Sequence, residues 1–239
     1  MKKRIFAVVI VVILATISYE IFSQSTPEGT ATFVLGKNFW KAGSGSKWNP
    51  IKLGDKIPEG SSIRTGNGSR VTLIANGSEI KLAPNTELTL SQWPGGNRDS
   101  EINLIRGFSW YKLVNLGKKG FVVRTPTTTA GVRGTAFSAM YDPKSGESKN
   151  CICEGKVQIS NDSSEKGLML SAGAGVTAGR SKELKEDSYK LFISKLNSLP
   201  EFEAEIKKSP ILSNCLSCHV PQGWDFKGVV RDEKYGTGK

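Results

Sequence analysis

Apolar side chains at every second position, in short runs broken by Asn-Gly pairs and lone glycines, limit this chain to one kind of fold. Val71 and Leu73, Ile80 and Leu82, and Leu88 and Leu90 alternate with polar neighbours. That is the period of a strand with one dry and one wet face. Asn76-Gly77 separates the first two runs; both residues of such a pair accept positive φ, so a tight hairpin is predicted there. Asn67-Gly68 reads as a second such turn. Ile102, Leu104, Phe108 and Trp110 continue the pattern across Arg106-Gly107. Phe121-Val122-Val123, Ala136 to Tyr141, Cys151 to Ile159 and Leu168 to Ser171 give further strands, about ten in all. Glycine is 26 of 239 residues, well above the usual ~7% and without a collagen repeat. The excess fits many turns between short strands. No amphipathic helix lies between the runs, which excludes a βαβ arrangement. The body, residues 30–179, is expected to be mainly β, a multi-stranded sandwich or roll.

Residues 1–25 stand apart. Lys2-Lys3-Arg4 precede an unbroken apolar run from Ile5 to Ala15, the pattern of a secretory signal. Ser23-Gln24-Ser25 offers small residues for cleavage. Retention of Ile5 to Phe22 as an anchor helix fits as well, although Glu20 lies inside it and the stretch falls just short of the ~20 residues of a comfortable span. Export to the periplasm or cell envelope is expected on either account, membrane-tethered if the segment stays. Only four residues precede the apolar run, so no cytoplasmic domain is expected on that side.

Lys and Arg number 33 against 22 Asp and Glu, a net charge of +11. Losing Lys2, Lys3, Arg4 and Glu20 with the leader lowers it only by two, so the exported part is basic itself. Such a charge suits anionic partners; export turns the expectation from nucleic acid to an envelope polymer or a protein. The chain has one histidine, His219. A His-rich metal site is thereby excluded, and no motif marks a catalytic constellation, so a non-enzymatic role is expected.

Several blocks carry a family likeness: Trp48 to Ile57, Ile63-Arg64-Thr65-Gly66-Asn67-Gly68-Ser69-Arg70-Val71, and Asn76 to Thr86. Val123-Arg124-Thr125-Pro126, Val132-Arg133-Gly134-Thr135-Ala136-Phe137 and Glu154-Gly155-Lys156-Val157 follow in order. Together they resemble the FecR domain family over about Thr30 to Thr177. The resemblance implies an exported β-rich binding, scaffolding or sensing module. The family's namesake joins such a segment to a membrane span and a cytoplasmic anti-sigma part, and with four residues before the apolar run no counterpart of the latter is expected here. Gly66, Gly77, Gly107, Gly134 and Gly155 are read as turn or close-approach positions. Arg64, Arg124 and Arg133 are candidates for an anion site, and Thr127 to Gly131 for a plain loop.

Past Gly179 the composition shifts. Leu184, Ser188, Phe192, Leu196 and Leu199 recur at helical spacing, with Ser181 as N-cap, and Glu201 to Lys208 reads as a second short helix. Residues 181–239 are thus expected to be a short helical tail. It contains Cys215-Leu216-Ser217-Cys218-His219, the attachment pattern for haem c. Cys215 and Cys218 would form the thioethers and His219 the proximal iron ligand. The distal ligand is open among Met140, Met169, a lysine or none, and Trp224 and Phe226 are candidates to pack on the porphyrin edge. Electron transfer or redox sensing with a redox partner follows from this motif. Cys151 and Cys153, two apart on a strand, are expected side by side. Disulfides from them to Cys215 and Cys218, or a four-cysteine zinc site, are the alternatives to haem.

Overall fold

The structure, a computed structural model, describes residues 28–45, 47–94, 99–116, 120–161, 167–179 and 184–188. The apolar segment 1–25 and the tail beyond Ser188 lie outside them. In chain order, β1 (Glu28–Leu35), β2 (Asn38–Ala42), β3 (Asn49–Pro50), β4 (Lys56–Pro58), β5 (Ser61–Thr65), β6 (Arg70–Ala75), β7 (Ser78–Leu82) and β8 (Glu87–Leu90) precede the long β9 (Ser100–Lys112). After it come β10 (Phe121–Arg124), β11 (Thr129–Val132), β12 (Ala136–Asp142), β13 (Glu147–Glu154), β14 (Lys156–Ser160), β15 (Leu168–Ser171), β16 (Ala174–Ala178) and β17 (Leu184–Ser188).

Two sheets share β9. Sheet A is ordered β4-β1-β6-β7-β9-β12-β13-β16-β17. Sheet B is ordered β3-β2-β5-β8-β9-β10-β11-β14-β15. Among the described residues only β9 and β10 pair in parallel. The N-terminal half of β9 belongs to sheet B and the C-terminal half, from Gly107, to sheet A. After β9 the chain lays down hairpins alternately on the two sheets, so it winds around one core as a roll. The mainly β expectation holds among the described residues.

A bulge in β9 sets which side chains enter that core. Glu87 faces Arg106 while Leu88 faces Leu104, which leaves Ile105 as an extra residue. An extra residue reverses the alternation beyond it. Ile102 and Leu104 point inward before the bulge, whereas Tyr111 and Leu113 point inward after it. Phe108 and Trp110 therefore join a separate cluster on the outer face of sheet A. A pattern continued unbroken across Arg106-Gly107 would put all four on one face; the bulge corrects that reading.

Between the sheets, Leu73 and Ile80 of sheet A meet Ile63, Leu88 and Val157 of sheet B in one cluster. Each fully buried aliphatic side chain contributes roughly 1.5–3 kcal/mol. Tyr111 ties the layers: its ring stacks on Phe137 at 5.0 Å and meets Phe121 at 6.1 Å. Trp93, fully buried, donates its indole N–H to the Ile57 carbonyl at 2.7 Å.

Three local readings change. Asn76-Gly77 does close the β6–β7 hairpin, with φ of 47° and 76°, but Asn67-Gly68 carries the chain from sheet B to sheet A rather than closing a hairpin. The single run Cys151 to Ile159 is two strands, broken at Gly155. Leu184 to Ser188, expected in a helix, instead forms β17 against β16. There the backbone of β16 gains hydrogen-bond partners and Leu184 packs on the main core. Among the described residues no helix is long and apolar enough to cross a membrane.

Candidate functional site

The three arginines read as a possible anion site do not converge. Arg64 spreads its guanidinium over the rings of Trp48 at 4.1 Å and Phe39 at 5.3 Å. Arg124 is held by Glu101 at 3.2 Å and by the Thr129 hydroxyl at 3.2 Å. Arg133 sits alone of the three in a groove on the outer face of sheet B.

That groove has a simple origin. Register aligns Val122, Gly131, Gln158 and Met169 across β10, β11, β14 and β15. Gly131 places no side chain in the row, and a Cβ there would meet nothing closer than the Gln158 carbonyl at 3.9 Å. The dip is closed at one end by Arg133-Gly134-Thr135 and Gly155-Lys156. Gly134 and Gly155 take φ of 69° and 74°, the left-handed turn region that glycine enters without steric cost. At Gly155 a side chain would also strike Thr135, 2.7 Å away. These turns leave Arg133 and Lys156 exposed on one rim. Among the lining residues both ionisable groups are cations, so the groove favours an anionic occupant by charge.

The threonine segment is not the plain loop it was read as. Thr129-Ala130-Gly131 belongs to β11, and the preceding threonines knit the turn to sheet A. The Thr127 hydroxyl donates to Ser148 at 2.6 Å and Thr125 pairs with the same hydroxyl at 2.6 Å. Asn150 donates to the Thr128 hydroxyl at 3.1 Å. Their role is to hold the β10–β11 turn against β13.

The other predicted residues divide. Cys215, Cys218 and His219 lie outside the described residues. Cys151 and Cys153 both pack on the outer cluster of sheet A, as their spacing requires, and are not bridged to each other. Met140 belongs to that cluster, while Met169 is 62% exposed on sheet B. Among the described residues no group of three or more His, Cys, Asp or Glu side chains gathers to hold a metal.

Residues 61–178 match the family described as FecR protein. The FecR match runs from the first residue of β5 to the last of β16. It contains the shared strand and the whole groove, and it leaves out the Trp48 to Ile57 block. Two crystal structures of a candidate anti-sigma factor from Parabacteroides distasonis are similar. One has a TM-score of 0.46 and 16% identity over 53% of this chain and 59% of its own. The other has a TM-score of 0.48 and 15% identity over 57% and 65%. The chain thus spans about three fifths of the length of these solved chains. No curated protein matches the sequence.

Proposed function

We propose that this protein is an exported, non-enzymatic module of the cell envelope whose FecR-type β domain binds an anionic partner, a surface polymer or a protein, along the Gly131 groove. One observation carries the reading. Two of the sequence blocks inside the FecR match, Val132 to Phe137 and Glu154 to Val157, turn at Gly134 and Gly155 and present Arg133 and Lys156 on one rim. The basic leader-free chain and the apolar segment after Lys2-Lys3-Arg4 support export and an anionic environment. The test has two arms. Cell fractionation should recover the protein in the envelope or periplasm; a soluble cytoplasmic protein discards the reading. Purified protein should bind acidic envelope polymer in a salt-dependent way, and Arg133→Ala with Lys156→Ala should weaken that binding about tenfold or more, as expected for two lost charge contacts. Equal binding by the double variant removes the groove from the account.

In this reading the tail adds a redox centre. Cys215 and Cys218 would hold haem c by thioethers and His219 would ligate the iron, with the β domain as platform for electron transfer or redox sensing with a redox partner. The motif and the export context support it. Expression with a periplasmic haem-attachment system should add about 0.6 kDa of covalent mass and a haem spectrum. A second reading ties the tail to the β domain by disulfides, or by zinc, through Cys151, Cys153, Cys215 and Cys218. The placement of Cys151 and Cys153 against one cluster favours it. A colourless protein with Cys151 or Cys153 bridged to Cys215 or Cys218 decides for it.

A further inference from the structure

We propose that the outer face of sheet B is a track for a linear acidic polysaccharide, running across the strands from Trp48 to the Gly131 groove. The proposal rests on the binding role argued above and names the chemistry of the partner. Register builds the track. Lys41, Ser62, Thr89 and Asn103 stand opposite one another on β2, β5, β8 and β9. The line continues through Arg124, Thr129 and Ser160 on β10, β11 and β14. Their chain neighbours Ile63, Leu88, Ile102, Val123, Ala130 and Ile159 point into the core, so alternation turns the line outward. At about 4.8 Å from strand to strand, it is about 29 Å long. None of its residues is buried, and each carries a hydroxyl, an amide or a positive charge. It passes beside the groove, because Gly131 follows Thr129 by two residues on the same face of β11.

Charge and ring chemistry select the occupant. At the β2 end the Lys41 ammonium and the Arg64 guanidinium stand 5.0 Å and 4.1 Å from the half-buried Trp48 ring. Glu87, the residue opposite Arg64, is taken by Arg106 at 3.1 Å. Beside the line Glu101 is held by Arg124 at 3.2 Å, and Asp99 accepts the Gly120 N–H at 2.9 Å. Among the described residues, Lys41 and Arg64 at one end and Arg133 and Lys156 on the groove rim have no carboxylate in ion-pair reach. Two cationic ends joined by neutral donors and acceptors match a polymer whose negative charges recur along its length. An indole flanked by cations offers a flat apolar surface to a sugar ring, beside groups that hold the ring's carboxylate. A docked protein would want a dry, apolar centre, and the centre of this line is Thr89 and Asn103. Among the described residues no strand lies beyond β3 or β15 in sheet B, so the line has no strand to wall either end and a long chain can run past both.

The test titrates the full chain with polygalacturonate and with alginate, both uronic-acid polymers. Dextran serves as a neutral sugar polymer, polyglutamate as a carboxylate polymer without sugar, and duplex DNA as a third control. Salt-sensitive binding to a uronic-acid polymer, about tenfold or more tighter than to any control, is expected. Trp48→Ala and Arg64→Ala should each weaken it about tenfold. Thr89→Glu, which sets a like charge in the middle of the line, should do the same while the β domain melts as before. Polyglutamate or DNA bound as tightly as the uronic-acid polymers overturns the sugar assignment; the groove reading survives if the Arg133→Ala, Lys156→Ala variant loses that binding. Unchanged affinity in folded Trp48→Ala and Thr89→Glu overturns the track, and the groove then stands or falls on the double variant alone. If Trp48→Ala does not fold, Thr89→Glu decides. Binding to neither uronic-acid polymer overturns the proposal outright and leaves the groove reading to the envelope-polymer test above.

Discussion

The hydroxyl of Thr86 holds the backbone of Phe108 from both directions, accepting its N–H at 3.0 Å and donating to its carbonyl at 2.9 Å. This clamp sits where β9 passes from sheet B to sheet A, beside Gly107 with φ of 89°. A Cβ at Gly107 would come within 2.6 Å of the Thr86 Cα. Gly107→Ala therefore meets both backbone strain and a contact with main-chain atoms that cannot give way. It should cost about 3 kcal/mol, and Thr86→Val, which strands the buried Phe108 groups, about 1–3 kcal/mol. Denaturant midpoints measure both. A Gly107→Ala variant as stable as wild type would place the bend elsewhere.

Trp93 secures β4, a strand of three residues at the edge of sheet A. Its indole N–H donates to Ile57 at 2.7 Å, and its carbonyl accepts from the Ser100 hydroxyl at 2.9 Å. Trp93→Phe keeps an apolar ring but leaves the Ile57 carbonyl without its donor. A loss of about 1–3 kcal/mol is expected, read from thermal or urea unfolding.

Burial pushes the Tyr111 phenol far above its ordinary range, with the Ser109 side chain pulling weakly the other way. The hydroxyl has no partner of hydrogen-bond geometry among the described residues. The proton is bound more tightly in the folded state than in the unfolded, whose phenol titrates near ~10. The linked stability is fully present below that pH and is lost as pH rises toward the folded value. Tyr111→Phe should flatten the alkaline decline and cost less than ~1 kcal/mol at neutral pH, since it removes an unsatisfied buried hydroxyl. Unfolding midpoints from pH 8 upward, at about half-unit steps, check the slope.

On the proposed haem reading, Cys218→Ser and His219→Ala should remove or derange the haem and leave the β-domain melting transition within about 0.5 kcal/mol of wild type, because the motif lies outside the segment that matches the FecR family. Visible spectra and circular dichroism on the same samples separate the two effects. A β domain that unfolds with loss of the motif would make these residues structural.

Local pattern was readable and long-range pairing was not. Val71, Leu73, Ile80 and Leu82 announced their strands because period two and the Asn76-Gly77 turn act within a few residues. β3 and β4 escaped notice: they are two and three residues long, end in Pro50 and Pro58, and offer no alternation to count. Ile105 escaped because a bulge depends on the partner strand, and no residue in β9 itself declares that Glu87 and Leu88 will skip it. Leu184 and Ser188 fit a helix by spacing, but the unpaired backbone of β16 claimed them. Of the candidate site, Arg133 was legible as a cation and Gly134 and Gly155 as turns. The groove was not, since it is made by the side chain that Gly131 lacks.

Because β9 is the middle strand of both sheets, neither sheet has an inner boundary along which it could come apart while the other stays whole. Its amide protons should be among the slowest in the molecule to exchange with solvent, released only by global opening, and those of Ile102 and Tyr111 should report one common protection energy although they belong to different sheets. The edges β3 and β4 can fray without disturbing that strand. What the fold offers its surroundings is a polar, grooved face carried on a single rigid axle.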